Sequence, residues 1–292
     1  MNQSKSIPVA AVQHACTADK QQNLERSIAG VRQAAQAGAK LIVLPELHGT
    51  SYFCVTQDTG NFELAESIPG PTTQTLSAIA QELDIVLVGS VFERRTSGVY
   101  HNTAIVFDCD GEIAGCYRKM HIPDDPGYNE KFYFTPGDLG FTPINTSIAK
   151  LGVLVCWDQW FPEAARLHAL AGADILIYPT AIGWNPQDNQ RQRQQQLDAW
   201  ITIQRSHAIA NGLPLISCNR VGQESDHGDL FWGNSFIAGP LGEMLITADE
   251  NPAVIHTKID LCDSERTRQT WPFLRDRRID AYANLLKIKI DT

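Results

Sequence analysis

Short, wholly apolar runs alternate with amphipathic stretches along most of this chain, and this pattern constrains the fold more than any other feature. Residues 41–44 (LIVL) form one such run, typical of a strand buried on both faces of a sheet. Residues 7–13 predict an earlier strand, and residues 19–37 have helical spacing that stops at Gly38, a common helix end. Together these segments predict a β-α-β unit.

The alternation continues along the chain, but hairpins interrupt it in the middle. Turns at residues 96–98 and 108–111 link strand-like runs in a way typical of antiparallel pairing. Antiparallel strands in such number argue against a purely parallel Rossmann sheet. The remaining predicted elements are helices at 71–83, 162–171 and 187–210, and strands at 85–91, 99–107, 113–117, 151–155, 174–178, 215–219, 234–239 and 253–259. Because no linker or repeat interrupts the chain, we expect one α/β domain over residues 1–292.

Charge and composition exclude several classes of protein. The 292 residues include 33 acidic and 24 basic side chains, for a formal net charge of -9. General nucleic-acid binders and membrane-surface proteins need a basic face, so we expect neither partner. No apolar run approaches the roughly 20 residues of a membrane helix, and the polar N-terminus lacks a signal-peptide core. Seven cysteines without a C-x-x-C pair indicate reduced thiols, and we expect a cytoplasmic protein.

Three chemically distinct side chains each follow a strand-like run. Glu46 follows residues 41–44, Lys119 follows 113–117 and Cys156 follows 151–155. Taken singly, each has an ordinary structural interpretation: a loop acid, a surface base and a small buried side chain. Because open α/β sheets bind ligands at the carboxyl ends of their strands, the three together predict a reaction site.

Metal and nucleotide chemistry have no support in the sequence. It contains no H-E-x-x-H, no paired C-x-x-C and no glycine-rich phosphate-binding motif, and its eight histidines are scattered. We therefore expect neither a metal nor a cofactor.

Three segments together make the chain similar to a known family. They are residues 44–46 (LPE), 117–121 (YRKMH) and 152–158 (GVLVCWD), which resemble the three signatures of the nitrilase, or carbon–nitrogen hydrolase, superfamily. Residues 133–137 (YFTPG) and 178–181 (YPTA) extend the resemblance over nearly the whole chain. The combination is highly specific, although no single segment is.

The resemblance implies a fold and an assembly. The fold is a four-layer α-β-β-α sandwich with mixed sheets, and the assembly is a homodimer or a higher homo-oligomer. The tail from about residue 264 to 292 is arginine-rich and then apolar. We expect this tail to pack against a partner subunit.

The resemblance also implies catalytic roles. A free thiol has a pKa near 8.5 and needs a base to become a nucleophile at neutral pH. In the implied mechanism Cys156 attacks the substrate and Glu46 is the base. Lys119 and the Trp157 backbone N–H stabilise the oxyanion, and Glu130 orients Lys119 or the substrate.

Residues 119–126 and 156–163 are most similar to superfamily members that hydrolyse N-carbamoyl compounds. The implied substrate is N-carbamoylputrescine, cleaved to putrescine, carbon dioxide and ammonia in polyamine biosynthesis. Its distant ammonium calls for acids or aromatic faces, and we expect Tyr52, Asp125, Trp157 and Trp184 to bind substrate. Other candidates are Asp124, Asp158, Trp160 and Glu163.

Two alternatives remain open at this point. The first is a related hydrolase of a carbamoyl amino acid, an ω-amide or a nitrile. A substrate carboxylate would call for an arginine in the pocket. The second is a non-catalytic or redox-sensing scaffold, which would tolerate the loss of Glu46 or Lys119.

Overall fold

The computed structural model describes residues 6–224 and 228–290. The strands of this part of the chain are β1 (Ser6–Gln13), β2 (Leu41–Val43), β3 (Val86–Thr96), β4 (Val99–Phe107), β5 (Ile113–Arg118), β6 (Ile144–Asn145), β7 (Lys150–Val153), β8 (Ile175–Pro179), β9 (Gly183–Trp184), β10 (Leu215–Cys218), β11 (Val221–Gln223), β12 (Leu230–Trp232), β13 (Phe236–Ala238), β14 (Met244–Thr247) and β15 (Ala253–Asp260). The α-helices are α1 (Lys20–Gln36), α2 (Pro71–Leu83), α3 (Glu130–Tyr133), α4 (Pro162–Leu170), α5 (Gln190–Asn211) and α6 (Leu261–Thr270).

The first sheet has the strand order β15-β1-β2-β3-β4-β5. Strands β1, β2 and β3 are parallel, and β3, β4 and β5 form consecutive antiparallel pairs. The predicted β-α-β unit and the predicted hairpins are therefore parts of one mixed sheet. The Asp19 side chain caps α1 by accepting a hydrogen bond from the Gln22 N–H, which fixes the helix start one residue after the predicted boundary.

The second sheet has the order β14-β13-β10-β8-β7-β6. Its centre, β7-β8-β10, is parallel, and its two edges are antiparallel. The two sheets face each other, and the Cys218 thiol in the second donates to the Val43 and Val12 carbonyls of the first at 3.2 and 3.4 Å.

Side-chain alternation along the first sheet explains the layering. One set of residues faces the second sheet, and the intervening set faces helices α1 and α2. The set facing the second sheet is Val9, Ala11, Leu41, Val43, Val86, Val88, Ala104 and Val106, and the set facing the helices is Ala10, Val12, Ile42, Leu87, Ile105 and Phe107. Helices α4 and α5 cover the outer face of the second sheet. The predicted four-layer α-β-β-α sandwich is confirmed.

Several short elements differ from the sequence prediction. Strands β9, β11 and β12 form a small third sheet that apolar spacing did not predict, because strands of two or three residues have no measurable period. Helix α5 begins at Gln190 rather than 187, since the Asn189 side chain accepts from the Gln192 N–H and caps it. The long loop predicted after residue 120 contains the short helix α3.

None of the described helices is long and apolar enough to cross a bilayer.

Candidate active site

Glu46 lies in the loop that follows β2, and its side chain is completely buried. Its Oε1 accepts hydrogen bonds from Lys119 Nζ at 2.8 Å and from Asn102 Nδ2 at 2.6 Å. Its Oε2 is buried and has no partner among the described residues. A buried carboxylate oxygen with free lone pairs can accept a proton, so Oε2 is suited to act as a base.

Lys119 follows β5 and is buried between two carboxylates. Its Nζ donates to Glu46 Oε1 at 2.8 Å and to Glu130 Oε2 at 2.7 Å. Burial by itself lowers the pKa of a lysine, but the charges of Glu130 and Glu46 outweigh it and raise the pKa of Lys119 well above its usual range. An ammonium has three donors, so one remains for a developing oxyanion.

Cys156 follows β7 and begins a 3-10 segment, Cys156–Trp160. Its backbone has φ 44°, a left-handed conformation that non-glycine residues rarely adopt. The Sγ lies 3.7 Å from the Ala181 carbonyl oxygen, to which it donates. Burial, and secondly the charge of Glu46, raise the pKa of Cys156 well above its ordinary value. The resting group is therefore a neutral thiol that needs a base when it reacts.

Glu130 is the first residue of α3 and is the second acid of the site. Its Oε1 accepts from the Tyr52 hydroxyl at 2.7 Å, and its Oε2 accepts from Lys119. Burial raises the pKa of Glu130 to about 7, although the Lys119 ammonium opposes the shift. Glu130 therefore holds the ammonium on the side opposite Glu46.

Asp158 fixes the turn that carries Cys156. Its Oδ2 accepts from the Val155 N–H at 2.9 Å and from the Tyr117 hydroxyl at 2.8 Å. Its Oδ1 accepts from the His121 N–H at 3.0 Å and from His121 Nδ1 at 2.6 Å. Four hydrogen bonds on one buried carboxylate stabilise the strained conformation of its neighbour.

Arg220 supports the loop of Glu46 from the other sheet. Its Nη2 donates to the Glu46 and Leu47 carbonyls at 2.6 and 2.9 Å, and its Nη1 pairs with Glu224 at 2.7 Å. Leu47 has φ 48°, another left-handed residue. The buried guanidinium, whose charge is balanced by Glu224, thus holds the loop of Glu46 in a strained conformation.

A cavity of about 750 Å³ opens next to the thiol, and Cys156 lines it. Three carboxylates line it as well, those of Asp125, Asp188 and Asp229. Of the described residues that line the cavity, none is a lysine, an arginine or a histidine. The cavity is therefore negatively charged, and its apolar walls include Trp157, Trp160, Ile182 and Trp232.

The predicted substrate residues fall into two groups. Asp125 and Trp157 line the cavity, whereas Tyr52 and Trp184 do not. Tyr52 is buried against Tyr128 and bonded to Glu130, and the Trp184 indole N–H donates to the Arg193 carbonyl at 3.0 Å. Among the other candidates, Trp160 lines the cavity, while Asp158 is committed to the turn of Cys156.

Sequence reasoning missed Tyr128, Asp188, Asp229 and Trp232. Asp229 immediately precedes β12 and Trp232 ends it, and the small third sheet that contains β12 carries no periodic signal. The two aromatic residues and the two acids were visible in the sequence, but nothing local indicated that they share a cavity with Cys156.

Within residues 6–224 and 228–290, no group of three or more His, Cys, Asp or Glu side chains is arranged to hold a metal ion.

The sequence also matches a known family and proteins of named activity. Residues 8–269 match the carbon-nitrogen hydrolase family. The chain is 45% identical over 293 residues to the N-carbamoylputrescine amidase of Solanum lycopersicum, covering 98% of this chain and 96% of that protein. It is 40% identical over 286 residues to the citrullinase of Francisella tularensis, covering 97% and 99% respectively.

The fold also matches a solved structure. The crystal structure of the carbon-nitrogen hydrolase from Helicobacter pylori G27 superposes with a TM-score of 0.95 at 50% sequence identity, covering 98% of this chain and 100% of that one. The agreement extends over both sheets and the helices that cover them.

Proposed function

The chain belongs to the carbon–nitrogen hydrolase family, and we propose that it hydrolyses N-carbamoylputrescine to putrescine, carbon dioxide and ammonia. The observation that carries this proposal is the pairing of Glu46 with Lys119 near Cys156, beside a cavity in which all the described charged lining residues are acidic. The name of the tomato relative supports the same substrate.

The proposed reaction begins with the thiol. Glu46 Oε2 takes the Cys156 proton as Sγ attacks the ureido carbon, and the carbonyl oxygen becomes an oxyanion that Lys119 and the Trp157 N–H stabilise. The oxyanion then collapses, and one nitrogen takes the proton from Glu46 and leaves as an amine or as ammonia. A thiocarbamate ester remains on Sγ. Water, deprotonated by Glu46, then attacks the ester, and Sγ leaves with the proton, which restores the Cys156 thiol and releases a carbamate. If the amine left in the first half, this carbamate breaks down to carbon dioxide and ammonia. If ammonia left first, the carbamate carries the putrescine group and breaks down to carbon dioxide and putrescine.

The acidic lining supports a cationic substrate over an anionic one. A carbamoyl amino acid brings a carboxylate, which three acids would repel and which no described basic residue of the lining would pair with. An ammonium is attracted by the same three acids. Citrulline carries both an ammonium and a carboxylate, so it is the most informative competing substrate.

The buried state of Cys156 supports a hydrolase over a redox sensor. Sensor thiols are accessible and have a low pKa, whereas Cys156 is 3% exposed and its pKa is raised. A buried thiol with a raised pKa fits a nucleophile that Glu46 deprotonates during the reaction better than it fits a redox sensor.

An ammonia-release assay tests the proposal. N-carbamoylputrescine, citrulline, N-carbamoyl-β-alanine and a simple amide are compared at equal concentration, and we expect the highest kcat/KM for N-carbamoylputrescine. Activity confined to N-carbamoyl-β-alanine or to citrulline would overturn the substrate assignment.

We also propose that the chain functions as one domain, in a cytoplasmic homo-oligomer. Both sheets contribute to the site, which supports a single domain. The seven cysteines form no disulfide with one another, as is typical of reducing compartments. Exposed apolar side chains in the tail, among them Leu286 and Ile288, support a contact with a second copy.

A further inference from the structure

Asp229 is a buried acid in the wall of the cavity, immediately before β12. Its residue surface is only 6% exposed, yet the cavity that contains Cys156 reaches it. The Tyr128 hydroxyl lies next to its carboxylate. The same hydroxyl accepts from the Gly183 N–H at 3.2 Å, which leaves its own proton available to Asp229.

No basic side chain among the described residues forms an ion pair with Asp229. A second acid of the lining, Asp188, accepts from the Asn185 N–H and from Gln196 Nε2, both at 3.0 Å. Burial chiefly, and the charge of Asp188 in addition, raise the pKa of Asp229. Since a buried charge without a counter-ion is costly, this part of the cavity favours a cation supplied by a ligand.

We propose that Asp229, oriented by Tyr128 and assisted by Asp188, binds the ammonium at the far end of the substrate and thereby determines specificity for cationic N-carbamoyl amines. This inference rests on the proposed function. It assigns the cation to a residue that the sequence signatures of the family do not contain.

The third acid of the lining, Asp125, is a weaker candidate. It is exposed, so water screens its charge, whereas Asp229 acts from a desolvated position. Trp232 follows Asp229 by three residues and also lines the cavity. One short segment thus supplies both a carboxylate and an aromatic wall, the two features that an alkylammonium needs.

The test compares N-carbamoylputrescine with N-butylurea, a neutral molecule of similar length that lacks the ammonium. For Asp229→Asn we expect the ratio of kcat/KM for the cation to kcat/KM for the neutral substrate to fall roughly 30-fold or more, mainly through KM. Tyr128→Phe keeps the Asp229 carboxylate but removes the hydroxyl beside it. The ratio of kcat/KM values for this variant should fall by less than for Asp229→Asn. Asp110→Asn, an exposed acid of the β4–β5 turn, is the control and should keep the wild-type ratio. An unchanged ratio in both Asp229→Asn and Tyr128→Phe would overturn the assignment.

A binding experiment separates this inference from the proposed function. If the wild type does not hydrolyse N-carbamoylputrescine, the proposed function fails, and Asp229 is judged by calorimetric titration of putrescine into Cys156→Ala and Cys156→Ala/Asp229→Asn. Weaker binding to the double variant supports the ammonium site. Equal affinity, or no binding by either protein, rejects it.

Discussion

At the scale of single residues, the site keeps a lysine charged and a nearby thiol neutral in the same buried environment. Lys119 stays charged in a buried position because Glu46 and Glu130 both contact its Nζ. Cys156 stays neutral because the same burial disfavours a thiolate. One oxygen of the Glu46 carboxylate bonds to Lys119, and the other has no partner in the described part of the chain.

Replacement of the nucleophile should abolish turnover without unfolding the protein. For Cys156→Ala we expect ammonia release to fall by roughly 10³-fold or more, because no other group can form the covalent intermediate. Circular dichroism should be unchanged. Cys109→Ala, which removes a thiol from the β4–β5 turn, serves as the control and should retain activity. Full turnover by Cys156→Ala would show that another residue is the nucleophile.

Replacement of the base tests how the thiol is activated. Glu46→Gln preserves the shape of the side chain but removes its proton affinity, so we expect kcat to fall roughly 10²- to 10⁴-fold. The rate at which iodoacetamide alkylates Cys156 should fall too, as followed by mass spectrometry. Unchanged alkylation with impaired turnover would place Glu46 only in the second, hydrolytic half of the reaction.

At the scale of elements, the proposed catalytic residues lie just after strands, in loops with strained backbone conformations. Glu46, Lys119 and Cys156 follow β2, β5 and β7, which belong to two different sheets. Cys156 and Leu47 both adopt left-handed backbone conformations, and each is held by a buried charged side chain, Asp158 or Arg220. The geometry of the site is thus stabilised from outside its own loops.

Asp158 gives a prediction about the nucleophile turn. Asp158→Asn replaces an acceptor-only group with one that also donates, so Tyr117 and His121 lose charge-assisted bonds. We expect a loss of about 2–4 kcal/mol in the free energy of unfolding in urea, with slower alkylation of Cys156. Tyr117→Phe removes a single bond and should cost less, about 1 kcal/mol. Equal effects of the two variants would contradict this account of the turn.

At the scale of the whole molecule, five histidines of the described residues are buried and have a lowered pKa, and in four of them, all except His101, the shift is large. Burial is the main cause that lowers the pKa of His48 to about 3 and of His14, His168 and His207 to about 4, from an ordinary 6.5. The unfolded chain therefore binds more protons than the native one between pH 6.5 and about 4. Glu130 and Asp229, whose pKa values are raised by burial, work in the opposite direction but are fewer than the histidines.

The expected result is acid destabilisation in that window. The free energy of unfolding should fall as the pH drops from 6.5 toward 4, by at least about 1 kcal/mol for each histidine. Urea titrations at pH 8, 7, 6 and 5 measure the slope. The double variant His168→Gln/His207→Gln should show a shallower slope than the wild type. A rise in stability toward pH 5 would refute the neutral, buried state of these rings.

The tail gives a prediction about assembly. Trp271, Ile279, Leu285, Leu286 and Ile290 are all more than half exposed, which is unusual for apolar side chains in one segment. We expect light scattering after gel filtration to show at least a dimer, and truncation after Thr270 to shift the chain toward the monomer. A full-length chain that runs as a monomer would contradict the proposed contact.

Most of the strands, the hairpins and the location of Glu46, Lys119 and Cys156 just after strands were predictable from the sequence. Their signals are local: an apolar run sets each strand, and the reactive residue follows it within a few positions. The pairing of the two sheets into a sandwich came from the family resemblance and not from periodicity, because apolar spacing records which face is buried but not what covers it.

The remaining features were decided only by the tertiary structure. The hydroxyl of Tyr52 bonds to Glu130, and Asp229 lines the cavity, and neither placement is visible in the sequence. The carboxylate of Asp229 meets the hydroxyl of Tyr128 across about a hundred intervening residues, through strands too short to have a period. Contacts between segments so far apart depend on how the layers pack against each other. No local sequence pattern in either segment contains that information.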